Sequence, residues 1–355
     1  MAKDGESRVH VLHRARGRLQ ELIVEEDDCE RRLKILSERS GEWQSRMDLR
    51  EPSRLVAAYT RAMMLALLWR PAPSRAHVLG LGGGRIPVFL RRRYPALTID
   101  CTEIDPDIHD VAIRFFGFRP DPRMQVHLED GREFLRRRGC PSPEPAVASG
   151  GKGYDIIFVD AFCGTGHSPV RLSSTEFLET CRANLAPGGI IALNMTPGDP
   201  LERSRLAAVE QVFQSAYIYR GEEALVAFGA LQPWLPLGEL LDRAARAASR
   251  SAGAATAPPL SFLSTLARSL TPLVPVEPSP PELASQSDPA TSSPWPGPTP
   301  STPGPLSDAV PPRSIPLDPA LLDLVRHDDP CPCGSLQSYG RCHALGGRPD
   351  HPPPR

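Results

Sequence analysis

The feature that most constrains this chain is a repeat of short apolar runs between Val78 and Met195, each followed by a helical pattern. His77-Val78-Leu79 feeds the turn Gly80-Leu81-Gly82-Gly83-Gly84, and Val88-Phe89-Leu90 continues as a helix. Leu97 to Thr102 reads as a second strand, and Val111 to Phe116 as a helix closed by Gly117. Met124 to Leu128 is a third strand, before a helix from Arg132 to Arg138. Tyr154 to Val159 is a fourth, and the helix Ser174 to Leu185 leads through a Pro187-Gly188-Gly189 turn into a fifth, Ile190 to Asn194. Apolar strands separated by helices predict an α/β fold with a parallel sheet covered on both faces.

Ligands of such sheets bind beyond the carboxyl ends of the strands. The glycine turn lets the backbone approach a ligand, and the helix start after it offers free N–H groups. Three successive strand ends then present an acid: Glu103, Asp130 and Asp160. Glu103 suits the two hydroxyls of a ribose lying across the turn. Asp130 suits the exocyclic amine of an adenine, and Asp160 an amine to be oriented or deprotonated. Each acid taken singly is also what a helix N-cap looks like. All three beside the glycine turn mark a ligand site.

These residues resemble a family. Leu79 to Gly84, Glu103-Ile104-Asp105, Asp121-Pro122-Arg123, Glu129 to Leu135 and Tyr154 to Asp160 are similar to the motifs of the spermidine synthase (polyamine aminopropyltransferase) family. Trp43-Gln44-Ser45 and Tyr59 to Met64 extend the resemblance upstream, so that it covers roughly residues 20 to 230. It implies the Rossmann-like class I S-adenosylmethionine-dependent methyltransferase fold with a small N-terminal β hairpin. It implies a nucleoside held by Gly80, Gly82, Gly83, Gly84, Glu103, Asp130 and Gly131, a methionine-derived tail at Gln44, and the attacking amine at Asp160. The co-substrate implied is decarboxylated S-adenosylmethionine, and the second substrate a small-molecule amine.

Departures from the family cluster on the acceptor side. Cys163 stands where the family has a second acid after the fourth strand, Arg61 stands in the first helix where the family has Glu, and Gly84 is followed by Arg85-Ile86 instead of Asp-Gly. A diamine needs negative charge to offset its desolvation. An arginine near the tail instead suits a carboxylate, which intact S-adenosylmethionine carries. Methyl transfer is therefore the alternative activity, and a non-catalytic nucleoside-binding protein the alternative class.

Upstream, Leu22 to Glu26 and Arg32 to Leu36 read as two strands around Asp27-Asp28-Cys29, forming a lid, with residues 1 to about 19 frayed. Ala57 to Leu68 is an apolar helix ended by Pro71 and Pro73. Gly164 to Pro169 is the loop expected over the second substrate; His167 in it reads as an exposed loop histidine and Cys163 before it as a small apolar residue at a strand end. Leu206 to Phe213 is helical, Ala216–Tyr219 and Ala224–Phe228 an antiparallel pair, and Leu237 to Ala248 a last amphipathic helix. A formal net charge of −1 supplies no basic field for nucleic acid, and no apolar run reaches membrane-spanning length. Without a signal-peptide core near Met1, a cytoplasmic protein with reduced cysteines is expected. The family often dimerises, which makes a homodimer an expectation by resemblance.

The domains expected are an N-terminal tail and hairpin over 1–50, the transferase-like domain over 51–250, and a disordered linker over 251–318 crowded with proline and serine. Leu260 to Leu270 is a short helix within that linker. A short helix and zinc motif occupy 319–348. There, Cys331, Cys333, Cys342 and His343 provide three thiols and an imidazole at zinc-ligand spacing, and a segment this small needs the metal to fold. This stretch resembles the SEC-C motif, a zinc-binding interaction module, which implies those four residues as ligands and a protein partner. Leu336-Gln337-Ser338 replaces the lysine-bearing segment of that motif.

Overall fold

Strict alternation along the central strands decides which side chains face which layer. Ile156 and Phe158 join one core, with Ile190 and Ala192, whereas Ile157 and Val159 join the other, with Ile191 and Leu193. A strand apolar on both faces is stable only when both are covered. The computed structural model describes residues 9–17, 20–36, 43–139, 153–162, 169–251 and 257–273.

Two sheets result. Strands β1 (His10–Arg16), β2 (Glu21–Glu26), β3 (Glu30–Leu36) and β4 (Trp43–Asp48) form an antiparallel four-stranded sheet in chain order. The large sheet contains β5 (Arg75–Leu79), β6 (Thr98–Glu103), β7 (Met124–Leu128), β8 (Tyr154–Val159), β9 (Leu185–Met195), β10 (Ser215–Arg220), β11 (Leu225–Ala230) and β12 (Leu270–Leu273). Its order is β12-β10-β11-β9-β8-β5-β6-β7, parallel from β9 to β7 and antiparallel beyond. The chain runs outward in both directions from the β5/β8 pair, so a crevice opens there, beyond the carboxyl ends.

Helices α1 (Ala58–Met63), α2 (Arg85–Arg93) and α3 (Pro106–Phe115) cover one face; α4 (Gly131–Gly139), α5 (Thr175–Asn184) and α6 (Glu202–Val212) cover the other. Met64–Leu68 continues α1 as a 3₁₀ turn, every residue of it buried. Helix α7 (Leu237–Ser251) follows β11, and α8 (Phe262–Leu266) precedes β12. Local chemistry sets several boundaries. Asp105 caps α3 by accepting from Asp107 N, with Pro106 at the first position, and Ser174 caps α5 by accepting from Phe177 N. At the amino ends of the strands, Asp155 accepts from Ser74 N, Ser74 Oγ and Arg75 N, tying the entry of β5 to β8.

The structure corrects three sequence expectations. The N-terminal piece is a four-stranded sheet, and residues 10–16 are a strand rather than a frayed tail, because their backbone pairs along β2 from His10↔Glu26 to Arg16↔Glu21. Pro187-Gly188-Gly189 lies inside β9: Gly188 takes a left-handed φ of 71°, and the strand shifts register against β8 and continues. Folded structure also runs past residue 250. Leu260, Leu263, Ala267 and Leu270 are at most 3% exposed, and β12 adds to the sheet beside β10. The apolar spacing from Leu260 to Leu270 supplies enough burial to draw this piece out of the linker. Residues 278–355 make up a second unit that lies outside the described residues, as do most of the linker and the zinc motif.

A consequence is that Leu263→Ala, placed in what composition marks as linker, lowers the unfolding free energy by about 2–5 kcal/mol. Urea denaturation of the two proteins measures it. A change within about 0.5 kcal/mol, as for surface sites, contradicts the placement.

Candidate active site

The glycine turn leaves β5 at the centre of the large sheet. Gly80 has φ 90°, and a Cβ there would lie 2.2 Å from the carbonyl oxygen of Asp160, so only glycine permits the two strand ends to meet this closely. Asp160 N donates to Leu79 O at 2.8 Å, and Gly80 N to Thr102 O at 2.9 Å, which knits the ends of β5, β6 and β8 together.

Glu103, 9% exposed, closes β6. Its Oε2 accepts from Leu81 N at 2.9 Å and its Oε1 from Asp105 N at 3.0 Å. Burial pushes its carboxyl up, and the backbone N–H donors work against that shift. One carboxylate thus joins the glycine turn to the start of α3, with a further lone pair on each oxygen for a ligand hydroxyl. Gly83 N donates to Ser45 Oγ at 2.8 Å, which docks β4 onto the turn. Gly80, Leu81, Gly83 and Gly84 all donate within the protein, the last to Leu81 O. Gly82 (φ 52°) and Gly84 (φ 66°) take left-handed backbone, and they lie against Ser45 and Phe118 respectively.

Asp130 accepts from Arg132 N at 2.8 Å and so holds the first turn of α4. Gly131 serves packing: a Cβ there would lie 2.5 Å from Leu79 Cγ. Ile104 and Leu128 are 48% and 52% exposed beside Glu103 and Asp130, which leaves two apolar side chains open at the same rim.

Asp160 sits at the crevice. Its Oδ1 accepts from Asn194 Nδ2 at 2.8 Å, and Tyr59 is within hydrogen-bonding reach of the same carboxyl. Burial pushes this carboxyl up to about 7, with the bonds from Asn194 and Tyr59 opposing the shift. Tyr59 Oη also donates to Gln44 O at 3.1 Å, which brings the backbone of Gln44 to the site. Sequence reasoning gave no role to Ser45, Tyr59 or Asn194. The one available signal was a polar residue closing the apolar run of β9, the same signal that marks the acids.

Two arginines prove to be structural. Arg61 donates to Leu55 O at 3.1 Å and Val56 O at 2.6 Å, satisfying carbonyls ahead of α1, whose N-cap Ala57 has no side-chain acceptor. Arg85 is 5% exposed and donates to Phe116 O and Pro52 O, each at 2.6 Å. Desolvation lowers its guanidinium to about 10, and it locks the N-terminal sheet's exit to α3. The expected pairing of Arg61 with a ligand carboxylate thus loses ground to a local role. Residues 163–168, with Cys163 and His167, and the zinc ligands Cys331, Cys333, Cys342 and His343 lie outside the described residues. No helix among the described residues is long and apolar enough to cross a membrane.

A "Polyamine aminopropyltransferase" of Vibrio vulnificus is 30% identical over 212 residues, covering 59% of this chain and 67% of that protein. The chain belongs to the polyamine aminopropyltransferase family. It is accordingly a transferase, with a fold like the class I methyltransferases. A "probable spermidine synthase" structure from Corynebacterium glutamicum shares the fold, with TM-score 0.55 and 20% identity over 72% of this chain and 93% of that one. The human "eEF1A lysine and N-terminal methyltransferase" is 33% identical over 214 residues, 55% of this chain but 29% of that protein's length. The SEC-C motif family matches residues 329–345.

The Asp160 carboxyl, raised from 3.8 to about 7, holds its proton more tightly folded than unfolded. Its contribution to stability is complete below about pH 4 and is lost as pH rises through about 7. Asp160→Asn should therefore melt above the parent protein, by a margin that grows from acid to about pH 8. Scanning calorimetry across that range measures it; a margin that shrinks with pH contradicts the buried carboxylate.

Proposed function

We propose that this protein transfers an aminopropyl group from decarboxylated S-adenosylmethionine to a small-molecule amine, in polyamine biosynthesis. The observation that carries the reading is the desolvated Asp160 carboxylate beside the glycine turn, held by Asn194 and Tyr59. A carboxyl near 7 is matched to taking a proton from an ammonium at neutral pH. In this reading the adenine lies between Ile104 and Leu128 with its amine at Asp130, and the ribose hydroxyls bond to Glu103. Gly80, Gly82, Gly83 and Gly84 let the nucleoside lie close to the backbone, and Gln44 faces the sulfonium tail. The acceptor gives its proton to Asp160, and its nitrogen attacks the carbon next to sulfur. The C–S pair returns to sulfur as a neutral thioether. Alignment supplies most of the acceleration in such a step.

Methyl transfer from intact S-adenosylmethionine is the second reading, favoured by the likeness to the human methyltransferase and by Cys163 and Arg85 in place of acids. An endpoint assay with both donors and mixed amines separates the two. Release of methylthioadenosine, lost in Asp160→Asn by about a hundredfold or more, is the expected result. Release of S-adenosylhomocysteine selects methyl transfer, and nucleoside binding without either product selects a sensor docked through its SEC-C module.

Three thiolates and an imidazole fit tetrahedral zinc, and Cys331, Cys333, Cys342 and His343 would hold it as a structural ion. One zinc per chain by atomic absorption is expected, and none in Cys342→Ser; the nucleoside site is built from other residues, so transfer should persist in that variant. Full zinc retention in Cys342→Ser contradicts the assignment.

A further inference from the structure

Asp160 has to serve in two protonation states while partly withdrawn from water, and the described residues give it few partners. From α1 comes Tyr59 and from β9 comes Asn194; the glycine turn approaches only with the backbone of Gly80. Arg61, on the same helix as Tyr59, donates to the carbonyls of Leu55 and Val56. Glu103, at the end of β6, is turned to the amides of Leu81 and Asp105. No described cation pairs with Asp160.

Tyr59 has a single hydroxyl proton and two acceptors for it, Gln44 O at 3.1 Å and the Asp160 carboxylate. Turned to Asp160 it donates to the carboxylate, and turned to Gln44 O it leaves Tyr59 Oη as an acceptor suited to the carboxylic acid. The Asn194 amide, with no competing acceptor for the same proton among the described residues, donates to the ionised form whichever way the Tyr59 hydroxyl is turned. It is placed for that: 3% exposed, in β9 with its backbone fixed opposite Val226 in β11, and with Nδ2 2.8 Å from Oδ1. The contact occupies Oδ1 of the carboxylate.

We propose that Asn194 is a positioning residue for the transfer: its amide pins one oxygen of the Asp160 carboxylate, so that the other is aimed at the acceptor and stays available as a base. The proposal rests on the transferase reading of the site. In the step it supports, an acceptor ammonium passes one proton to Asp160, leaving a free amine. That amine attacks the carbon next to sulfur, the new C–N bond forms as the C–S bond breaks, and sulfur leaves neutral. The product nitrogen keeps the positive charge. Asp160 returns its proton to water before the next turn.

The test is a carbon-13 NMR titration of the Asp160 carboxyl in the full-length protein, assigned with Asp160→Asn. In Asn194→Ala the midpoint should rise by about one pH unit, the shift expected on losing one hydrogen bond to a charged group. The acid limb of kcat/KM should move with it: a loss of about fivefold at pH 7, approaching tenfold in more acid solution, that recovers at higher pH. Asn194→Ser, which restores a smaller donor, should fall between the two and guards against a variant that fails to fold. An unmoved midpoint, or a loss equal at every pH, overturns the role of Asn194. The titration needs neither donor nor product, so it can fail while the transferase reading stands. Absence of product from the parent protein defeats that reading instead.

Discussion

The site depends on one buried carboxylate. Glu103 accepts from the amide of Leu81 in the glycine turn and from that of Asp105 at the start of α3. Burial makes its charge costly, and a buried acceptor stripped of such donors costs more than the bonds themselves contribute. The two loops are therefore held in register by the same group proposed to face the ribose. The neighbouring contacts follow from this. Gly80 meets Asp160 across the β5/β8 pair, and Gly83 takes Ser45 from the N-terminal sheet as its acceptor. The N-terminal sheet is thus a wall of the site rather than a separate lid, since Ser45 and Gln44 reach the turn and Tyr59 from β4.

Asp160 shows the opposite balance. Glu103 gains from two backbone donors at fixed positions, whereas Asp160 relies on side chains and lies at a carboxyl value near neutral. Stability is given up at the residue that the proposed chemistry needs, as is common where a base must work at physiological pH. The two arginines that replace family acids are spent on carbonyls. Arg85 in particular trades a charge at the turn for two bonds to Phe116 O and Pro52 O. These two positions therefore add no negative charge where the family resemblance implies acids, which is the ground for the methyl-transfer reading.

Much of this was legible in the sequence because short apolar runs and strand-end acids are local signals. Strands β7 and β8 fall where their apolar runs lie, and Asp105 and Ser174 cap helices as their residue types dictate. What escaped was set by partners distant in the chain. β1 is a strand because β2 offers it an edge, and polar residues such as His10 and Arg14 gave no alternation to announce it. The segment from Leu260 to Leu273 sits among prolines, so composition assigned it to the linker, yet four of its side chains complete the core. Ser45 and Asn194 are single polar residues whose roles exist only across 38 and 34 positions of sequence.

The account stands most directly on where a nucleoside binds. A crystal structure of the protein with methylthioadenosine decides it. The account predicts the nucleoside across Gly80 to Gly84, with its ribose hydroxyls bonded to Glu103, its adenine between Ile104 and Leu128, and its sulfur turned towards Asp160. A nucleoside bound elsewhere, or a ribose out of reach of Glu103, would contradict it.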